Sequence, residues 1–221
     1  ISNCIVVVID VFRATSTIAT ALYNGASRVI PVDTVDKCIQ IGKNTGGITA
    51  GERAGKIIPG LEHGNSPAEY PREFIEGKTL VLTTTNGTKL LHMALQNGAD
   101  EVITGSFPNL SAVCNHLIAQ KKNVILGCSA WKDKFNLEDT LFAGAVTEIL
   151  SKHESFKLLD GALATKYLYQ QAHQNPYKFL NYSSHKERLS AMGLKDDIKY
   201  CLTLDQTNVI PVLQGKYLVL R

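Results

Sequence analysis

Short apolar runs recur along this chain, each bounded by polar or glycine-containing turns, and helical patterns lie between them. The runs predict strands near Ile5–Ile9, Arg28–Val32, Thr79–Leu82, Glu101–Thr104 and Asn123–Gly127, with a shorter one at Ile48–Ala50. Apolar positions at helical spacing predict helices over Ser16–Asn24, Val35–Lys43, Thr88–Asn97, Leu110–Gln120 and Leu137–Leu150. Strand and helix alternate, which predicts an α/β fold: a three-layer α/β/α sandwich on a largely parallel, or mixed, sheet. Strands as apolar as Val6–Val8 fit burial on both faces. The stretch Gly51–Gly77 breaks the rhythm with Pro59, Pro67 and Pro71, and reads as a long functional or mobile loop. The tail reads as helices over Leu158–Gln174 and Ser184–Leu204. A terminal hairpin follows, Val209–Leu213 and Lys216–Leu220 around Gln214-Gly215.

One strand–loop–helix unit occurs twice. At an offset of 73 residues Asp10 falls on Thr83, Thr15 on Thr88, Gly25 on Gly98 and Val29 on Val102. The segments Ala21–Ala26 and Ala94–Ala99 agree in five of six positions. Gly25 and Gly98 each follow a helix end, where a positive φ is wanted. The two strands are expected to lie parallel in one sheet and open their loops at one edge, where α/β folds bind ligands.

Composition narrows the classes of function. A chain of 221 residues can bury a sizeable core, and no interdomain linker is visible, so one α/β domain is expected. A net charge of +3 without a run of like charges argues against nucleic acid. No apolar stretch is long enough for a membrane span. The five cysteines form no CxxC pair or metal-finger spacing and suit a reducing cytoplasm. Oligomeric state is left open; a homo-oligomer fits as well as a monomer.

The polar strand exits carry the candidate chemistry. Asp10, followed by Arg13, Thr15, Ser16 and Thr17, reads as a metal or phosphate loop opening onto a helix start, or more simply as a helix cap. The hhhhDxDxT nucleophile loop of haloacid-dehalogenase phosphatases does not fit, because Phe12 stands at the second acidic position. The run Thr83–Thr88, including Thr84, Thr85, Asn86 and Gly87, offers hydroxyls, an amide and a helix start, which suit a phosphate; it also suits a plain N-cap. Glu138 and Asp139 open the Leu137 helix and are either dipole partners or metal ligands. With Glu52 and Asp10 they would make a Mg²⁺ site of hard oxygen ligands. His185 and Arg188 share a helix face and either meet an anion or face solvent.

The strings VVIDVFRATST, GERAG, GNSPAEY, TTTNGTKLL, GSFPNLSAV, LEDTLFAGA, SSHKERL and DDIKYCL, in that order over nearly the whole chain, resemble the 2-phosphosulfolactate phosphatase (ComB) family. The resemblance implies a Mg²⁺-dependent hydrolase acting on a small anionic substrate, 2-phospho-3-sulfolactate or a related 2-phospho-carboxylate, in a route towards coenzyme M or sulfolactate. It also implies that the family has further residues before Ile1. Carried over by position, it singles out Asp10, Arg13, Thr15, Ser16, Glu52, Arg53, Asn65, Ser66, Thr84, Thr85, Asn86, Gly87, Ser106, Glu138 and Asp139. On this reading Asp10, Arg13 and Asp139 are catalytic. The metal set is Asp10, Glu52, Glu138 and Asp139, while Thr15, Ser16, Thr84–Thr88 and Ser106 serve the phosphate. Arg53, Asn65, Ser66 and Arg188 are left for the substrate's other anions, since a guanidinium binds planar oxyanions bidentately. Attack by water and a phospho-Asp10 route both stay open. Two rivals are a non-catalytic module that senses a phosphorylated metabolite, and a nucleotide-dependent phosphotransferase, which the absence of a Walker motif disfavours.

Overall fold

The computed structural model describes residues 2–53, 56–84, 87–130 and 134–221. The described strands are β1 Cys4–Ile9, β2 Arg28–Val32, β3 Ile48–Arg53, β4 Lys56–Ile57, β5 Thr79–Thr83, β6 Glu101–Gly105, β7 Asn123–Cys128, β8 Pro211–Gln214 and β9 Tyr217–Leu220. The described helices are α1 Ala14–Tyr23, α2 Val35–Thr45, α3 Arg72–Ile75, α4 Gly87–Gln96, α5 Leu110–Gln120, α6 Leu137–Leu150, α7 Asp160–Ala172, α8 Pro176–Phe179, α9 Ser184–Ala191 and α10 Lys195–Cys201. No helix among the described residues is long and apolar enough to cross a membrane.

The strands form one mixed sheet in the order β4-β3-β5-β2-β9-β8-β6-β1-β7. The terminal hairpin is not an appendage. It sits in the middle and joins two runs that are each parallel within themselves, β3-β5-β2 and β6-β1-β7. The steps β2-β9, β9-β8 and β8-β6 are all antiparallel, so the two runs have opposite sense. This corrects the expectation that the duplicated strands β1 and β5 lie parallel. Their loops nevertheless meet. A twist of roughly 20–25° per strand step turns β5 by about 100–125° against β1 over the five steps between them, so opposed strands can deliver their exits to one place.

Burial explains the layers. Along β1, Ile5, Val7 and Ile9 join a core with Val113 and Leu117 of α5 and Phe142 and Val146 of α6. Val6 and Val8 face the other way, into a core with Ile18 and Leu22 of α1 and Leu91 of α4. A smaller cluster joins Ile30, Val32 and Val81 to Cys38 of α2. The central strands are therefore covered on both faces, as their unbroken apolar sequences require.

The repeat is visible in backbone chemistry. Gly25 (φ 98°) and Gly98 (φ 75°) end α1 and α4 with the same pair of bonds. Gly25 N–H donates to Leu22 O and Ala26 N–H to Ala21 O; Gly98 N–H donates to Leu95 O and Ala99 N–H to Ala94 O. Both are six-residue closures that need a left-handed residue at the fifth position. The same device splits the tail. The single helix expected over Ser184–Leu204 is instead α9 and α10, broken at Gly193 (φ 82°), where Leu194 N–H bonds back to Leu189 O. The glycine-rich stretch after Gly51 is built from β4, a 3₁₀ turn at Pro67–Glu69 and α3.

Candidate active site

The β1 strand ends at Ile9, and the loop that follows is pinned by its own hydroxyls. Asp10 N–H donates to Thr15 Oγ1 at 3.1 Å, and that oxygen lies 2.9 Å from the carbonyl oxygens of both Asp10 and Gly105. Ser16 Oγ donates to Val11 O at 3.0 Å, and Thr17 Oγ1 to Asn65 O at 3.0 Å. All three side chains are buried, so the structure uses the Thr15 and Ser16 hydroxyls to hold the loop's backbone. Asp10 itself stays half-exposed at the loop's mouth.

Two acids from α6 close on that loop. Glu138 and Asp139 are 0% and 1% exposed, far more buried than dipole partners on a solvated first turn would be. Asp139 Oδ1 accepts the Val11 N–H at 2.8 Å, and Oδ2 accepts from Ser129 Oγ at 3.3 Å and Asn136 Nδ2 at 3.4 Å. Glu138 Oε1 takes a bond from His185 Nδ1 at 2.6 Å, while its buried Oε2 has no partner among the described residues. Burial pushes the Asp139 carboxyl well above the usual carboxylate range, and Glu138 and Asp10 add to the rise. Burial also raises Asp10, opposed mainly by His185 and helped by Glu138. The ring of His185 meets Phe12 edge-on at 5.8 Å.

A second charged cluster surrounds Arg13, which is 4% exposed. Its Nη1 donates to Asp197 Oδ2, and its Nη2 lies 3.7 Å from Glu52 Oε2. Ser66 Oγ donates to the other Asp197 oxygen at 2.8 Å. Removing one partner of such a buried pair costs roughly 3–5 kcal/mol, because the other charge stays buried alone. Ser66 also caps the 3₁₀ turn, with Glu69 reaching back to the Ser66 N–H at 3.2 Å. The neighbouring Asn65 Oδ1 is buried without a partner.

At the exit of β5 the hydroxyls satisfy one another. Thr84 and Thr88 hydroxyls are 3.0 Å apart, Thr88 N–H donates to Thr84 Oγ1, and Thr88 Oγ1 donates to Val32 O at 3.2 Å. The start of α4 abuts the β1 loop: a Cβ on Gly87 would stand 3.5 Å from Asp10 Oδ2. Thr85 and Asn86, and the charged residues Lys132 and Asp133, lie outside the described residues. Ser106 is fully buried and its N–H and hydroxyl point to Asn109 Oδ1, which shapes the turn after β6. Arg53 is exposed and donates to Glu52 O at 3.1 Å. Arg188 is half-buried on α9, one turn beyond His185.

The structure thus brings Asp10, Glu138, Asp139, Gly87 and, from the tail, His185 to one place, with Arg13, Glu52, Asn65 and Ser66 beside Asp197. Asp197 and Ser129 were not singled out from the sequence, and His185 was left between an anion contact and a solvated face. For Asp197 the sequence signal was its presence in DDIKYCL; for His185 it was its place in SSHKERL and the helix face that it shares with Arg188. A separate cleft of about 590 Å³ lined by Tyr23, Asn115, His116, Asp205 and Arg221 contains none of these groups. Its charges are already committed, His116 and Arg221 to Glu101 and Asp205 to Ser111.

No group of three or more His, Cys, Asp or Glu side chains forms a ready-made metal cage among the described residues. Mg²⁺ does not require one, since it is commonly held by one or two carboxylates together with waters and substrate oxygens. The partly buried Asp10 and the Glu138 Oε2, unpartnered among the described residues, supply that donor chemistry; both Asp139 oxygens are already occupied.

The family model for 2-phosphosulpholactate phosphatase matches residues 1–216. The chain belongs to that family. It is 42% identical over 213 residues to a protein of Caldanaerobacter subterraneus subsp. tengcongensis named "Probable 2-phosphosulfolactate phosphatase", covering 95% of this chain and 88% of the relative. A Thermotoga maritima protein of the same name is 41% identical, with 97% and 91% covered. One from Clostridium novyi is 36% identical, with 96% and 89% covered. The activity in that family name, 2-phosphosulfolactate phosphatase, is that of a phosphoric monoester hydrolase.

Proposed function

We propose that this chain is a Mg²⁺-dependent phosphomonoesterase that hydrolyses 2-phospho-3-sulfolactate, or a related 2-phospho-carboxylate, to the 2-hydroxy acid and inorganic phosphate. The observation that carries the reading is the fully buried Glu138 Oε2, unpartnered among the described residues and acting electrostatically on Asp10, whose loop meets the start of α4. A buried carboxylate oxygen without a donor is costly, and a cation shared with Asp10 would relieve that cost. The family membership and the relatives' names support the same reaction.

Asp10 and Glu138 would hold Mg²⁺, which when bound supplies a Lewis acid for the phosphoryl oxygens. His185 keeps Glu138 Oε1 occupied and leaves Oε2 for that purpose. Asp139 holds the Val11 N–H and so sets the turn that presents Asp10. Arg13 and the first N–H groups of α4, with Thr84 and Thr88, are assigned to the charge on the phosphoryl oxygens. Arg53, Arg188 and Asn65 are assigned to the substrate's carboxylate and sulfonate. A water oxygen forms the new bond to phosphorus, the bond to the ester oxygen breaks, and that oxygen leaves as the alcohol after taking a proton.

The test is phosphate release from 2-phospho-3-sulfolactate and from 4-nitrophenyl phosphate, with Mg²⁺, after chelation, and after Mg²⁺ is restored. Turnover that disappears and returns with the metal is expected. Turnover indifferent to chelation removes Mg²⁺ from the mechanism, and no release from either ester removes the phosphatase reading.

A further inference from the structure

We propose that Asp197 is a positioning residue for this site, fixing the Arg13 guanidinium and the Ser66 turn in the geometry that receives the phosphoryl group. The proposal deepens the functional reading above and rests on it. Arg13 is a long side chain with many rotamers, yet it is almost fully buried on the loop between β1 and α1. Ordering it needs a partner that offsets lost rotamer freedom. Asp197 supplies one from a helix 184 residues away. Its two oxygens are divided, Oδ2 on Arg13 and Oδ1 on Ser66 Oγ at 2.8 Å. One carboxylate therefore ties α10 to both the β1 loop and the stretch after Gly64. A planar guanidinium gripped at one nitrogen has its remaining donors fixed in direction, which is what bidentate recognition of an oxyanion needs.

The helix itself does not require this acid. Asp196, its neighbour, lies exposed in the same first turn and pairs with Lys199 at 2.9 Å, a complete arrangement for a helix start. Asp197 is instead buried and directed to the loop. Glu52 faces Arg13 at 3.7 Å, an ion pair rather than a hydrogen bond, so Asp197 is the partner that fixes orientation.

A purely electrostatic view predicts the opposite sign. Removing a carboxylate next to an anion site lessens repulsion and should tighten phosphate binding. A positioning role predicts weaker binding. The experiment titrates inorganic phosphate, with Mg²⁺ present, into wild type, Asp197→Asn, Arg13→Ala and the double variant by calorimetry. kcat and KM are measured for 2-phospho-3-sulfolactate, and each fold is checked by circular dichroism. Asp197→Asn is expected to weaken phosphate about 10-fold and to lower kcat/KM about 10- to 100-fold, with little further loss once Arg13 is alanine. Should Asp197→Asn not fold, Ser66→Ala, which removes one of the two bonds and keeps the charge pair, is expected to weaken phosphate about 3-fold. Phosphate affinity unchanged or tighter in the variant used, or losses that multiply in the double variant, overturns the proposal. Wild type that binds phosphate but hydrolyses no ester refutes the functional reading while the affinity cycle still decides the positioning role. Wild type that binds no phosphate refutes both.

Discussion

The exits of β1 and β5 are two copies of one local design, and they have been put to different uses. Both lead into helices closed by the same glycine and the same pair of backbone bonds. At the β5 exit the Thr84 and Thr88 hydroxyls answer each other within a few residues, with Val32 O as their outside partner. At the β1 exit the hydroxyls do the same backbone work, but the charged groups reach far along the chain. Asp139 reaches back to Val11, and Asp197 reaches back to Arg13. The scaffold is thus shared, while the ionisable groups that could do chemistry gather around one copy only. The other copy brings the start of α4 and its backbone donors.

That contrast is broken most severely at Asp10. Asp10→Asn is expected to lower kcat/KM by on the order of 1,000-fold in a Mg²⁺-replete assay, since an amide is a poor ligand for a hard cation. Without Mg²⁺ its melting temperature near neutral pH should not fall and should rise slightly, because the shape is retained and burial disfavours the charge that is removed. Full turnover in that variant would move the chemistry away from the β1 exit.

The next effect is on stability. Asp10 and Asp139 both have carboxyls raised above their ordinary value of 3.8. The folded chain therefore binds more protons than the unfolded chain just above that value, and stability falls as pH rises from about 4 towards neutrality. Mg²⁺ at about 100 times its Kd should raise the melting temperature by roughly 5–10 °C near pH 7.5. It should raise it by much less near pH 5, where protons compete for the Asp10 carboxylate, whose affinity for them burial raises. Glu138→Gln should remove most of the gain at the higher pH. An equal Mg²⁺ effect at both pH values, or one that survives Glu138→Gln, would place the cation elsewhere.

How far the sequence announced this depends on the range of each interaction. The helix stops at Gly25 and Gly98 were legible because six neighbouring residues decide them. Asp10, Arg13, Glu138 and Asp139 were legible as polar residues at a strand exit or a helix start. The opposite sense of the two strand runs was not. The pairing signal in Pro211–Leu220 identifies a hairpin but not its seat between β2 and β6, which depends on competition among all the strands. His185 and Asp197 were hidden for a related reason. Their partners lie 47 and 184 residues away, and reading Ser184–Leu204 as one rod concealed the break at Gly193 that separates them. Hydroxyls misled in the opposite direction, since composition cannot distinguish a Thr15 or Ser16 that holds backbone from one that faces a ligand.

A smaller effect is expected at Arg53, the exposed last residue of β3. An exposed guanidinium contributes less than a buried one, so Arg53→Ala should lower kcat/KM for 2-phospho-3-sulfolactate about 10-fold. For 4-nitrophenyl phosphate, which lacks the carboxylate and sulfonate, the change should stay within about 2-fold. Equal losses on the two esters would place Arg53 on the phosphate, and no loss on either would make it structural.

The smallest effects test the quiet copy, and they should have opposite signs on two hydroxyls, one at the end of β5 and one in the first turn of α4. Thr88 Oγ1 is buried and engaged with both Val32 O and Thr84 Oγ1, so Thr88→Val leaves acceptors unsatisfied and should cost about 1 kcal/mol. Thr83 Oγ1 is equally buried but has no partner among the described residues. Thr83→Val replaces that hydroxyl with a methyl of similar size and should gain about 1 kcal/mol by removing an unmet polar group. For a chain of this length each change corresponds to a melting shift of roughly 2–4 °C, downward for Thr88→Val and upward for Thr83→Val. Matched thermal melts without ligand decide the matter. Two shifts of the same sign would mean that the Thr83 hydroxyl has a partner of its own, and that the β5 exit is less self-contained than its neighbour's long-range charges make it look.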